Sequence, residues 1–236
     1  MPAKWYEFKN LTATSADLYF YGDIAGDYGE SWQEEDQYPE KVKNFLSGVE
    51  GKDLNIYINS GGGSVFAGIA IYNMIKRHAE KNSVKVYVDG LAGSIASIIA
   101  FAGNVPPSIP SNAFIMIHNP WAAVAGNAGQ LRKIADDLDV IREGILNIYA
   151  EHLAEGATIE QVEEMMNAET WLNGQQAAEV FAVETAEAKD YVAKTGEYNS
   201  ICRKIPEEIA KGAGTDPEET AARAAIRDIM IDAYCM

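Results

Sequence analysis

Cysteine and positive charge are both scarce in this chain of 236 residues. Cys202 and Cys235 are its only cysteines, too few for a disulfide framework, so we expect both to be reduced thiols in a cytoplasmic protein. Nineteen Lys and Arg residues stand against 35 Asp and Glu residues, which gives a formal charge of -16. This excess of negative charge argues against nucleic acid or an anionic membrane as the main partner.

Long hydrophobic runs and metal-binding patterns are also missing. The longest apolar run, Leu91 to Ala102, is too short to span a bilayer. The first ten residues, "MPAKWYEFKN", have no apolar core, so we expect no signal peptide there. His-Glu-x-x-His and clustered Cys/His patterns do not occur, so we expect no metal site.

Hydrophobic periodicity predicts one α/β domain at residues 1–189. Strands alternate with helices there, which is typical of parallel β-α-β units. Residues 190–236 have a weaker pattern, and we expect them to form a C-terminal appendage with a helix that begins at Asp216. The predicted strands are 4–9, 16–22, 54–58, 84–88 and 113–117. The predicted helices are one within 38–51, then 65–79, 94–102, 128–153, 158–166 and a short one after Gly174.

A glycine-rich loop, "INSGGGS" at 58–64, separates a predicted strand from a helix. Such a loop exposes several backbone N–H groups to one point. A phosphate cradle is one interpretation, although the Lys-Ser/Thr of a Walker loop is missing and Phe66 replaces the last glycine of a dinucleotide loop. A plain tight turn and an oxyanion hole are the other two interpretations.

Ser94 stands where a strand and turn lead into an apolar helix, in "VKVYVDGLAGSIASIIAFAG". Three interpretations of Ser94 are open: a helix cap, a small packing residue and a nucleophile. Its position resembles a nucleophile elbow, and the backbone of Ile95 lies at a helix N-terminus that favours an anion. Ser97, one turn later, is explained by a hydrogen bond to a preceding carbonyl.

His118 is the histidine that differs from the other two. It ends the apolar strand "FIMIH", where α/β folds place functional groups, although a core histidine with satisfied hydrogen bonds is the alternative. His78 and His152 lie among charged residues near helix ends, and we expect both to be solvated.

These three segments together resemble the Clp protease proteolytic subunit, ClpP. The family motifs read Asn-Ser-Pro-Gly-Gly, Gly-x-Ala-x-Ser-[Met/Ile] and Met-Ile-His-x-Pro, and the similarity extends from Leu54 to Ala182. The strings "HNPW" and "AETWLNGQQA" are most similar to the ClpP-related head-maturation, or prohead, proteases of tailed phages and prophages.

The resemblance implies a role for each matching residue. Ser94 becomes the nucleophile, His118 the general base, and the amides of Gly63 and Ile95 the oxyanion hole. The family aspartate aligns with Glu169 in "ETWLN", which makes a Ser-His-Glu triad the expectation. Gly61 replaces the family proline, so this loop is expected to be more mobile before substrate binds.

The resemblance also implies the fold and the partners. We expect the ClpP/crotonase-like α/β fold of repeated β-β-α units with a protruding long helix. We also expect a serine endopeptidase that acts on polypeptide substrates and uses no metal or organic cofactor. A homo-oligomeric ring, in one or two layers, would form through the helix at 128–153, with Ile141 and Ile145 in the contact. A Clp-type ATPase or capsid and scaffold proteins are the further partners.

Two alternatives belong to other functional classes. A crotonase-type enzyme shares this fold and uses an oxyanion hole on acyl-CoA thioesters without a serine-histidine pair. A catalytically inactive ClpP-like assembly protein would form the oligomer without reacting with a serine-directed probe.

Overall fold

The computed structural model describes residues 11–27, 29, 31 and 33–187. The predicted strand at 4–9 and the whole appendage, with both cysteines and the helix at Asp216, lie outside the described residues. The strands are β1 (Ser15–Phe20), β2 (Asp53–Ser60), β3 (Val84–Gly93), β4 (Ser108–Pro110), β5 (Phe114–Ile117), β6 (Thr170–Asn173) and β7 (Glu184–Ala186). The helices are α1 (Pro39–Gly48), α2 (Val65–Ala79), α3 (Ile95–Ala100), α4 (Ala128–Ala150), α5 (Ile159–Ala168) and α6 (Gly174–Val180).

The strands form one mixed sheet that is mostly parallel. Its main path runs β1-β2-β3-β4-β7, while β5 pairs in parallel with β3 and β6 pairs antiparallel with β5. The connections β1-α1-β2 and β2-α2-β3 are the parallel units that the alternation of strands and helices predicts. The expected α/β fold class is therefore confirmed.

The two faces of the central strands differ in character. One face of β1, β2 and β3 is apolar, and its residues share a buried core with α1 and α2. The opposite face carries Tyr19, Tyr57 and Tyr87, which are paired in register and stack at centroid distances of 4.9 and 5.2 Å. The period of two along each strand therefore separates an aliphatic core from an aromatic row.

The long helix α4 is buried only near its C-terminal end. It begins at a capping box formed by Asn127 and Gln130, and its buried residues are Ile145 and Tyr149. Its earlier turns are exposed, with Val140 67% exposed. The placement of Ile145 in a contact between subunits is wrong, because this side chain is 5% exposed within the chain's own core.

Several local expectations from the sequence also need correction. The predicted strand 84–88 is too short, because β3 continues past Asp89 and Gly90 to Gly93 and pairs there with β5. His152 is not a solvated residue, since its ring stacks on Phe101 at 5.0 Å. His78 is partly buried, with Nε2 lying 2.8 Å from the Lys52 carbonyl. In the part of the chain that the structure describes, we find no helix long and apolar enough to cross a membrane.

Candidate active site

Ser94 lies between β3 and α3 with an unusual backbone conformation. Its φ of 51° and ψ of -128° are rare for a residue with a side chain and cost on the order of 1–3 kcal/mol. Two backbone hydrogen bonds hold this conformation: Ser94 donates to the Met116 carbonyl (2.8 Å), and its own carbonyl accepts from the Ser97 N–H (3.0 Å). Backbone strain that is held in this way is a feature of functional sites.

His118 is brought directly to the Ser94 hydroxyl. Gly93 and Met116 pair in the parallel ladder of β3 and β5, so both chains leave the sheet at the same edge. The Ser94 Oγ lies 2.7 Å from the His118 Nε2. Burial lowers the pKa of His118 from its ordinary 6.5, while the charge of Glu169 acts to raise it. A depressed pKa favours the neutral imidazole, which can accept the hydroxyl proton.

Glu169 reaches the same edge of the sheet from the opposite direction. Ile117 and Thr170 form the last pair of the antiparallel β5–β6 ladder, so His118 and Glu169 occupy the next position on each chain. Glu169 also ends α5, where its φ of 52° turns the chain into β6. The coulombic effect of its carboxylate on the His118 pKa agrees with this proximity.

The glycine-rich loop packs against the Ser94 elbow. The Ile24 N–H donates to the Gly62 carbonyl (2.8 Å), and the Ser64 N–H donates to the Ile24 carbonyl (2.7 Å). Because Gly63 lies between these two contacts, its own N–H faces away from Ile24. A Cβ atom on Gly62 would stand 2.7 Å from the Ser94 Cβ, so glycine is what allows this close approach.

Ile95 supplies a second backbone donor at this point. It is the first residue of α3, so its N–H has no carbonyl partner within the helix. The would-be Cβ of Gly62 lies 3.2 Å from this nitrogen, which places the loop beside it. A backbone donor in this position can stabilise a negative oxygen next to the Ser94 hydroxyl.

A family comparison is consistent with this geometry. The family model described as Clp protease matches residues 44–186, more than half of the chain. The chain belongs to the Clp protease family. The family match includes every residue of the site described above except Ile24, and it extends beyond the range of similarity that the motifs indicate.

Curated members of the Clp protease family are similar to the chain over part of their length. It is 31% identical to the ATP-dependent Clp protease proteolytic subunit of Bacteroides fragilis over 137 residues, 57% of this chain and 64% of that protein. It is 33% identical over 130 residues to proteolytic subunit 2 of Thermobifida fusca (54% and 62%), and 35% identical over 137 residues to proteolytic subunit 1 of Streptomyces coelicolor (57% and 60%). The chain thus spans less than two thirds of the length of these relatives.

A pocket beside the serine-histidine pair contains residues that the sequence motifs of the Clp protease family did not indicate. Tyr149 comes from α4 and Val65 from the start of α2. The apolar pattern of a helix does not indicate which of its residues face a pocket. Within the described residues, no three His, Cys, Asp or Glu residues are grouped so that they could hold a metal ion. The pocket is lined by Val65, Ser94, Ile95, His118, Pro120, Ile145 and Tyr149.

Proposed function

We propose that the protein is a serine endopeptidase with Ser94 as nucleophile and His118 as general base. The observation that carries the proposal is the 2.7 Å contact between the Ser94 Oγ and the His118 Nε2. The strained backbone of Ser94 and the family membership support it. A crotonase-type reaction would give no reason for this serine-histidine contact.

The proposed reaction is acyl transfer to water in two steps. The Ser94 Oγ attacks the peptide carbonyl carbon while its proton moves to the His118 Nε2. The C–N bond then breaks, and the departing amine takes this proton. A water molecule attacks the resulting ester, again with His118 as the base, which releases the acid and restores Ser94.

The oxyanion and the imidazolium each need a stabilising group. We assign the oxyanion to the N–H groups of Gly63 and Ile95, since the glycine loop lies against the Ser94 elbow. We assign the orientation of His118 to Glu169, whose charge acts on that histidine. In this role the Glu169 carboxylate holds the imidazole tautomer and stabilises the imidazolium, and it does not take the proton itself.

The proposed substrates are polypeptides, and the proposed assembly is a homo-oligomeric ring. Exposed apolar side chains on the projecting part of α4, including Leu131 and Val140, support a contact between copies of the chain. The similarity of "HNPW" and "AETWLNGQQA" to head-maturation proteases supports capsid or scaffold proteins as substrates. General proteolysis with a Clp-type ATPase is the alternative role. If degradation of a folded protein required both such an ATPase and ATP, that result would favour this role. The cytoplasmic location rests on composition and stays a prediction.

A fluorophosphonate probe tests the proposed chemistry directly. Intact-mass analysis of the full chain should show one adduct, which peptide mapping assigns to Ser94. Ser94→Ala should remove the adduct and lower peptide hydrolysis by several orders of magnitude. Ser47→Ala is the matched control, because Ser47 is exposed on α1 and bonds to the Lys43 carbonyl.

Each contrary outcome points to a different function. An adduct on Ser64 or Ser97, or full turnover in Ser94→Ala, would refute the assignment of the nucleophile. Thioester hydrolysis without any adduct would indicate a crotonase-type enzyme. An oligomer that neither hydrolyses peptides nor reacts with the probe would indicate an inactive assembly protein.

A further inference from the structure

Ser97 connects the Ser94 elbow to the long helix α4. Its hydroxyl donates to the Ser94 carbonyl and lies 2.6 Å from the Tyr149 hydroxyl. A carbonyl only accepts hydrogen bonds, and a serine hydroxyl has one hydrogen. The Tyr149 hydroxyl must therefore be the donor to Ser97, and the chain of hydrogen bonds runs from Tyr149 through Ser97 to the Ser94 carbonyl.

Both members of this chain are held in the core. Ser97 is fully buried and Tyr149 is 2% exposed. The Tyr149 ring packs against Phe101 and Phe181 at centroid distances of 6.2 and 5.4 Å. Burial raises the pKa of Tyr149 far above its usual range, so the hydroxyl keeps its proton and remains a donor. Water does not compete for these contacts, which strengthens them.

The carbonyl that receives this hydrogen bond belongs to the same peptide group as the Ile95 N–H. In a planar trans peptide the C=O and the N–H point in opposite directions, so the orientation of one fixes the other. The ψ of Ser94, -128°, sets the orientation of this peptide group. This backbone conformation is unfavourable for a residue with a side chain, so it needs stabilising contacts. Contacts to the Ser94 carbonyl must therefore hold the peptide, and the Ser97 hydroxyl is one of them.

We propose that Tyr149 and Ser97 are positioning residues that aim the Ile95 N–H at the oxyanion of the reaction proposed above, on which this inference rests. Their hydroxyls act through the Ser94–Ile95 peptide rather than on the substrate. A hydrogen bond to the carbonyl also polarises the peptide group, which makes its N–H a stronger donor. The Tyr149 ring lines the pocket, but its hydroxyl is engaged with Ser97.

This role predicts a particular kinetic signature. An oxyanion donor acts in the transition state and not on the bound substrate, so its misalignment lowers kcat and leaves KM unchanged. Loss of a whole oxyanion donor lowers kcat by about 10²–10³-fold, so a misdirected donor should cost less. We expect a loss of roughly 10-fold for Tyr149→Phe and up to about 100-fold for Ser97→Ala.

The experiment measures kcat, KM and the affinity for a peptide boronate, which mimics the tetrahedral intermediate. Tyr72→Phe is the matched control, because Tyr72 is also buried, at 5% exposure, and its hydroxyl has no hydrogen-bond partner among the described residues. Tyr149→Phe should weaken boronate binding in parallel with kcat, while Tyr72→Phe changes neither. The double variant Ser97→Ala/Tyr149→Phe should match Ser97→Ala alone, since both residues act through one carbonyl.

The inference fails if the wild type reacts at Ser94 but Tyr149→Phe keeps kcat within about twofold. It also fails if only KM or the melting temperature changes, or if the two substitutions act additively. Phenylalanine keeps the aromatic ring of Tyr149, so Tyr149→Phe should fold. If Ser97→Ala does not fold, the kcat of Tyr149→Phe alone decides whether the inference holds. A wild-type chain without a Ser94 adduct would instead overturn the proposed function, and this inference with it.

Discussion

His118 and Glu169 directly follow the final residue pair of the β5–β6 ladder, Ile117 and Thr170. The antiparallel register itself therefore delivers an imidazole and a carboxylate to one edge of the sheet. The parallel ladder of β3 and β5 brings the Ser94 hydroxyl to the same edge, because Gly93 pairs with Met116 at its end. Two neighbouring ladders, rather than long loops, set the relative positions of the three side chains.

Neutralising Glu169 should slow the reaction strongly. Glu169→Gln keeps the shape, removes the charge and can favour the wrong tautomer of His118, so kcat should fall by about two to four orders of magnitude. Glu169→Asp should retain more activity than Glu169→Gln, because the charge remains while the reach shortens. Peptide hydrolysis and the rate of probe labelling measure both variants.

Glu164→Gln is the control for this substitution, since Glu164 is exposed on α5. Near-normal turnover in Glu169→Gln would mean that another group orients His118. The enzyme would then work as a serine-histidine dyad.

The acid limb of the pH profile should lie below the ordinary histidine range. The base form of His118 is neutral, and burial lowers its pKa from 6.5, so activity should be lost only as the pH falls through this lower value. The Glu169 charge raises the same pKa, so the limb of Glu169→Gln should move to still lower pH. Measuring kcat/KM from roughly pH 4 to 8 checks both statements. A limb above neutral pH would contradict them.

Gly62→Ala should disable the site and destabilise the fold. Gly62 has a φ of 107°, and its new Cβ would stand 2.7 Å from both the Gly93 carbonyl oxygen and the Ser94 Cβ. We expect a loss of at least about 1 kcal/mol in the free energy of unfolding, measured in urea, together with loss of probe labelling. Gly51→Ala is the comparison, because Gly51 has a φ of 77° but open space around its Cβ position. It should be destabilised yet fully reactive.

Gly61→Pro should stabilise the protein, in contrast to the neighbouring position. The φ of Gly61 is not in the positive range, and its N–H donates no hydrogen bond to the part of the chain that the structure describes. Proline would reduce the freedom of the unfolded chain and should add about 0.4–1 kcal/mol. If the loop moves before substrate binds, Gly61→Pro should also lower KM. A loss of stability would show that the native backbone does not accept proline.

Substitutions along α4 should separate assembly from folding. Val140→Asp should dissociate the proposed ring into smaller species while the chain stays folded, because Val140 is 67% exposed. Ile145→Asp should instead unfold the chain, because it places a charge in the core. Light scattering and circular dichroism distinguish the two outcomes. A wild-type chain that is monomeric at micromolar concentration would contradict the ring.

The long elements of the fold could be predicted from the sequence. Helix α2 has the predicted bounds of 65–79, since a 3.6-residue apolar period over four turns is a strong signal. The short strands β4, β6 and β7 were missed, because none of them has a continuous apolar run like the four residues of β5, and they pair only through tertiary contacts. The extension of β3 past Asp89 was also missed. Its pairing with β5 is a tertiary contact, which overrides the local turn signal of Asp89 and Gly90.

Positions in the candidate site were predictable to different degrees. The sequence motifs identify Ser94 and His118, and the structure brings their side chains into contact. The pocket residue Tyr149 could not be found in this way, because its neighbours Ser97 and Phe181 come from α3 and from the end of α6, far from it in sequence. The positive φ of Ser94 was also beyond a sequence argument, because serine has no local preference for that conformation.

Pairing between β5 and β6 has a consequence for biosynthesis. The ribosome completes Ser94 and His118 long before β6, and β5 cannot form this antiparallel ladder until Asn173 has emerged. A growing chain therefore holds the Ser94 hydroxyl and the His118 imidazole before the β5–β6 ladder that positions Glu169 can form. If that carboxylate has the role proposed here, we expect the full proposed peptidase activity only once synthesis has passed β6.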